Sequence, residues 1–154
     1  MPKIELASVP THERTTYPPQ YAGMVKGRLK KMLGDAVGLT QFGVNLTRLK
    51  PGAASGHRHW HKSEDEFVFV LEGEATLVED DKQTSLRAGE AAAFKAGAAV
   101  GHHLINRSAR DVVFIEVGTR AHDDVVTYTD PEVDMLMVKE GGRWIPRRRN
   151  GAPY

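Results

Sequence analysis

The chain contains no cysteine, which excludes disulfides, thiolate metal ligands and a cysteine nucleophile. Any metal must be held by nitrogen and oxygen. There is no excess of charge either. Twenty-one Lys+Arg against 20 Asp+Glu leave a formal net charge of +1, so no bulk field draws the chain to nucleic acid or anionic lipid. No apolar run approaches the roughly 18 residues of a membrane span. The opening MPKIELASVPTHER carries charges where a signal peptide has its apolar segment. These absences predict a cytoplasmic protein that binds neither nucleic acid nor membrane. Helix signals are also sparse. Only Met24–Leu33 spaces its apolar residues at three to four positions, and Gly27 within it leaves a short helix and an edge strand both open.

What is present reads as strands. The chain has 154 residues, 40% hydrophobic and 27% charged, which suits one globular domain. From Leu39 onward, short runs rich in Val, Phe, Ile and Thr are broken by Gly or acidic turns about every ten residues, the pattern of an all-β sandwich or barrel. Strands are expected near Leu39–Leu49, Ala54–His61, Glu66–Glu72, Glu74–Glu79, Thr84–Leu86, Glu90–Phe94, His102–Asn106 and Val112–Val117. Pro51-Gly52, Glu72-Gly73 and Asp80–Lys82 mark turns. Before Leu39, Pro2, Pro10, Pro18 and Pro19 predict an extended arm that crosses the surface or reaches a partner subunit. After Asp123, Met135–Val138 and Arg143–Ile145 flank Glu140-Gly141-Gly142 as a hairpin. The run Arg147–Arg149 is expected to be a solvated surface rather than a phosphate or RNA site, and the tail after it to be solvated at its end.

The densest chemistry is His57 to Glu66, HRHWHKSEDE. Side chains alternate along a strand, so His57, His59 and His61 share one face at about 6.5–7 Å spacing. Two neighbouring imidazoles can tilt onto one ion, but three in a row cannot without a bend. Glu66 has the wrong parity for that face in a straight strand. A turn over Lys62–Asp65 lets it open the next strand and lean back toward His59 and His61, leaving Glu64 and Asp65 solvated. A fourth ligand can come from His102 or His103, of which only one can point inward. Isolated His12 and His122 read as surface or packed residues.

These residues resemble the cupin family. His59-Trp60-His61, four residues, Glu66, six residues and Gly73 match its first motif, and FVFVLEGEATL resembles the family's usual sequence after the glutamate. Gly89, Gly97, His102 and Asn106 look like its second motif. There are departures: Gly52 lies one residue too far from His59, Lys95 replaces a proline, and four residues rather than two separate Gly97 from His102. All fall in turns. His102 is preferred over His103 because it keeps three residues before Asn106. The resemblance implies an all-β cupin jelly-roll barrel over 39–120, with the N-terminal arm at 1–38 and a short C-terminal extension at 121–154. It implies one divalent ion, Fe, Mn, Ni or Zn, held by His59, His61, Glu66 and His102. His57 then falls outside the ligands or at the mouth, and Trp60 faces away from its flanking histidines.

Such a site leaves coordination positions open, and the expected function is an enzyme on a small oxygen-rich molecule. A sugar or sugar-phosphate isomerase, with the metal as Lewis acid, needs a base to move a proton between carbons. Glu116 is the candidate, being the one charged residue of Val112–Val117, against the competing expectation that it faces solvent. Lys95 and Arg107 are candidate phosphate donors. The alternatives are an Fe(II)-dependent dioxygenase, whose site reads the same in sequence, and a non-catalytic small-molecule or metal-binding module. A homodimer is expected, with the arm pairing across subunits.

Overall fold

The computed structural model describes residues 3–154; Met1 and Pro2, the first proline of the expected arm, lie outside it. Its strands are β1 (Arg28–Met32), β2 (Phe42–Leu49), β3 (His59–His61), β4 (Glu66–Glu72), β5 (Glu74–Glu79), β6 (Lys82–Arg87), β7 (Ala91–Phe94), β8 (His102–Ile105), β9 (Val112–Thr119), β10 (Val125–Tyr128), β11 (Leu136–Glu140) and β12 (Arg143–Arg147), with a one-turn helix α1 (Leu33–Ala36) after β1. They form two antiparallel sheets, β1-β2-β9-β4-β7 and β12-β11-β10-β3-β8-β5-β6. The sheets face each other across a core of Leu49, Val68, Val70, Val112 and Phe114 from the first and Ala75, Leu77, Leu86 and Leu104 from the second. This is the jelly-roll architecture expected from the sequence.

Register explains how that interior is divided. Val68 pairs with Glu116 and Val70 with Phe114, while β2 sets Asn45 opposite Glu116 and Thr47 opposite Phe114. On the inner face of the first sheet, one end is therefore apolar (Leu49, Val112, Phe114, Val70). The other carries Asn45, Glu116 and Glu66. The apolar end is the core and the polar end is a cavity. The β4–β5 turn closes the core between the sheets. At Gly73, φ is +79° and an added Cβ would lie 2.6 Å from the Asp111 carbonyl oxygen, so only glycine fits.

The segment before β1 packs on its own chain. His12 and Lys30 exchange backbone hydrogen bonds at 2.8 and 2.9 Å. Tyr17 and Tyr21 cover a second apolar cluster of Val126, Tyr128, Val133, Met135 and Met137. Over Met24–Leu33 the strand alternative prevails at β1, and the helical turns lie either side of it. Strand β10 is not among the strands expected from the sequence, being four residues between acidic loops. It extends the second sheet by pairing Val126 with His61 and Tyr128 with His59, and the β11–β12 hairpin comes next. The basic run is tied down more than expected: Arg147 pairs with Glu140 at 2.8 Å, and Arg149 Nη2 donates to the Tyr128 and Asp130 carbonyls at 3.0 and 2.9 Å. Among the described residues no helix is long and apolar enough to cross a membrane.

Candidate metal centre

Strand β3 is three residues long, and its alternation turns His59 and His61 to the interior. Strand β8 sets His102 opposite His59, and Glu66 opens β4 in the facing sheet. Two sheets thus bring four side chains to one point. Glu66 Oε2 lies 3.0 Å from His102 Nε2, 3.6 Å from His61 Nε2 and 3.9 Å from His59 Nε2. The ligand atoms of His59, His61 and Glu66 all fall within 4.8 Å of one another, and His102 joins them through Glu66. The His102 ring stacks on Phe94, with centroids 3.6 Å apart and planes 3° from parallel.

The other nitrogen of each ring is engaged. His59 Nδ1 is 2.7 Å from the His57 carbonyl, His61 Nδ1 is 2.5 Å from Asp124 Oδ2, and His102 Nδ1 is 3.2 Å from the Val100 carbonyl. Carbonyl and carboxylate oxygens only accept, so each Nδ1 carries the proton and Nε2 is left to face Glu66. Fixing the tautomer in this way is how proteins orient metal-binding imidazoles. Three nitrogens and one carboxylate, without sulfur, are a donor set that could hold Fe, Mn, Ni or Zn.

The electrostatics favour the same protonation states. Burial pushes the His59 imidazole down to about 4, against the pull of Glu66. Burial opposes ionisation of Glu66, but the close approach of His102 Nε2 and the positive charge of the surrounding imidazoles when protonated outweigh it and lower the carboxyl to about 2. A neutral imidazole and an ionised carboxylate are what a cation binds. His61 goes the other way: burial would lower it, yet the Asp124 hydrogen bond raises it overall.

Of the two places expected for His57, outside the ligands or at the mouth, the structure gives the first: it is buried behind His59, with Nε2 2.8 Å from the Tyr21 carbonyl and Nδ1 3.5 Å from Asp130 Oδ2. Several other expected placements change. Glu64 is buried rather than solvated, because Lys139 reaches it at 2.8 Å. It forms a second cluster with His61 and Asp124, whose carboxylates are already satisfied by Lys139, by His61 Nδ1 and by the Ser63 amide at 2.7 Å. Asp65 is exposed. His103 points away from Glu66, its Nδ1 2.8 Å from the Gly56 carbonyl. Glu116 faces inward, not to solvent. It accepts from Asn45 Nδ2 at 3.0 Å and pairs with Lys30. Lys95 is exposed outside the cavity, and Arg107 bonds Gln83 at 3.0 Å on the surface.

The cavity that contains His59, His61, Glu66, His102 and Glu116 measures about 680 Å³, enough for a small molecule. Its cations are Arg28, Lys30, Arg120 and Lys139, none of them singled out by the sequence. Arg28, Lys30 and Met32 occupy alternate positions on β1, so the period-two rule would have found them once β1 was recognised as a strand.

Residues 45–118 match the family model described as Cupin domain. The beta-alanine degradation protein BauB of Pseudomonas aeruginosa is 43% identical over 78 residues, 47% of this chain and 76% of that protein. A crystal structure described as a sugar phosphate isomerase from a cupin superfamily, from Silicibacter pomeroyi, superposes with a TM-score of 0.93 at 39% identity, covering 99% of this chain and 96% of its own. A protein from Acidithiobacillus ferrooxidans, provisionally named a sugar phosphate isomerase, superposes at 0.72 with 32% identity, covering 82% and 80%.

Proposed function

The chain belongs to the cupin family, and from that premise we propose that it holds one divalent transition-metal ion on His59, His61, Glu66 and His102 and isomerises a sugar or sugar phosphate. The observation that carries the metal reading is the convergence of three Nε2 atoms on one carboxylate, each ring locked through Nδ1. When bound, the ion supplies Lewis-acid polarisation of a carbonyl or hydroxyl pair. The names of the two similar structures support the substrate class.

The chain's own residues supply the rest. Glu116 is an acceptor on the cavity wall, oriented by Asn45 and Lys30, and it takes the proton from one carbon and returns it to the next. Phe94 and Tyr128 wall the site with apolar surface that limits water. The same proposal has the chain as a homodimer: the outer face of β4 presents Phe67, Phe69 and Leu71, each at least 37% exposed. A monomer by light scattering at micromolar concentration would count against that.

Metal content of protein grown in supplemented medium, followed by NMR of sugars and sugar phosphates with the loaded protein in air-free buffer, tests the reading. Bound Fe, Mn, Ni or Zn and oxygen-independent interconversion are expected. No retained metal, and no rise in melting temperature on adding any of the four ions, would overturn it. Turnover that appears only with oxygen would favour the dioxygenase alternative.

A further inference from the structure

The cavity wall holds four cations, Arg28, Lys30, Arg120 and Lys139, and four carboxylates, Asp35, Glu64, Glu66 and Glu116. Three pairs cancel: Arg120 with Asp35, Lys30 with Glu116 and Lys139 with Glu64. Glu66 faces the imidazoles. Arg28 is left without an acidic partner among the described residues. Its Nη1 donates to the Ser55 carbonyl at 2.5 Å, and its Nε and Nη2 have no hydrogen-bond partner there. A half-buried guanidinium with an open fork suits a bidentate oxyanion.

Hydroxyls share the cavity wall with it. Thr15, Thr16 and Tyr17, consecutive in the N-terminal segment, line the same cavity as Arg28 and Ser55. This corner lies beside the metal candidates, since a Cβ built on Gly56 would be 2.9 Å from the Tyr17 hydroxyl and 3.7 Å from His59 Cε1. An uncharged polyol can accept from the guanidinium but leaves its charge uncompensated, whereas an oxyanion meets both the fork and the charge.

We propose that Arg28, with the hydroxyls of Thr15, Thr16 and Tyr17, forms an anion subsite that takes the phosphate of a phosphorylated substrate while its hydroxyl end reaches the His59, His61, Glu66 and His102 cluster. The proposal rests on the reading above and narrows it to the phosphate ester over the free sugar. It also gives the N-terminal segment a part in the site, because three of the four residues precede β1.

Inorganic phosphate is titrated into wild-type, R28A, R28K and H102Q proteins, read by calorimetry or ³¹P NMR, with metal content measured on each. Saturable binding is expected in the wild type and in H102Q, weakened at least tenfold in R28A with its metal content unchanged. Absent binding in the wild type, R28A binding as the wild type does, or loss of binding in H102Q, which would put phosphate on the metal, each overturns the subsite. Because R28A also loses the Ser55 contact, a thermal melt accompanies it. If R28A does not fold, R28K decides, since it keeps the charge without the fork and must weaken binding at least threefold. Phosphate bound by protein that holds no metal would sink the isomerase reading and leave the subsite. Metal bound without phosphate does the reverse.

Discussion

His61 Nδ1 and Asp124 Oδ2 lie 2.5 Å apart, and the Asp124 side chain has no exposed surface. Asp124 also accepts from the Ser63 amide at 2.7 Å, so one carboxylate both orients an imidazole and secures the turn between β3 and β4. Asp124→Asn keeps the shape but weakens a charge-assisted bond. Metal affinity, measured by competition with a chromophoric chelator, is expected to fall about 10–100-fold. Asp124→Ala leaves two donors unpaired and is expected to cost about 1–3 kcal/mol for each in denaturant unfolding. An unaltered affinity in Asp124→Asn would remove the orienting role.

Gly73 makes a separate prediction about the fold. Its φ of +79° and the 2.6 Å approach of the Asp111 carbonyl to a would-be Cβ oppose any side chain. The obstruction is backbone and cannot swing away. Gly73→Ala is expected to lose about 2–4 kcal/mol in urea unfolding, combining left-handed strain with a main-chain clash. Gly89→Ala is the comparison: its φ is also positive, at +90°, but nothing lies within 4 Å, so it should lose about 1 kcal/mol. Equal losses would show that the close approach contributes nothing.

Locality decides how much of this molecule is legible in its sequence. Strands β4 and β5 begin and end where alternation and Glu72-Gly73 place them, because one face is buried and the turn needs glycine. His59, His61, Glu66 and His102 come together because parity and two spaced motifs are local properties. The misplacements involve distant partners. Glu64 is buried by Lys139, 75 residues away, and Asp124 reaches His61 only because β10 pairs with β3. Glu116 faces inward in a strand whose outer residues, Ile115 and Val117, are also apolar, so VVFIEV offers no alternation to assign its side. Arg28 shares a face with Lys30 by strand parity, but that this face turns to the cavity depends on the β1–β2 register, a pairing of distant residues.

Stability should depend on pH through His59. Burial holds its folded-state value at about 4, below the ordinary 6.5. A depressed histidine stabilises the fold fully above 6.5, and that contribution is lost as pH falls through about 4, because the unfolded chain takes up the proton first. Its size is up to about 3 kcal/mol. His57 and His61 are raised by Asp130 and Asp124 against burial, so their contributions are present below 6.5 and lost as pH rises. The effect is therefore read as a difference. In chelator-treated protein, the stability of the wild type relative to His59→Gln is expected to be greater at pH 7 than at pH 4. An equal difference at both would contradict the assignment.

Glu116 carries the sharpest catalytic prediction. Its Oε1 accepts from Asn45 Nδ2 at 3.0 Å and pairs with Lys30, so it is held on the cavity wall as a fixed acceptor. Glu116→Gln keeps an acceptor for Asn45 and removes the base. Since it is no ligand of the candidate metal, metal content should match the wild type. With sugar phosphates, turnover should fall about 10²–10⁴-fold, the usual worth of a general base, while KM changes by no more than about threefold if the residue acts on the proton and not on binding. A second readout separates chemistry from fold: in deuterated buffer, solvent exchange of the substrate's transferred hydrogen should disappear with turnover in Glu116→Gln, and Glu116→Asp should restore part of both. Turnover within threefold of the wild type, with exchange intact, would mean that Glu116 only neutralises Lys30 and that the proton moves through another group.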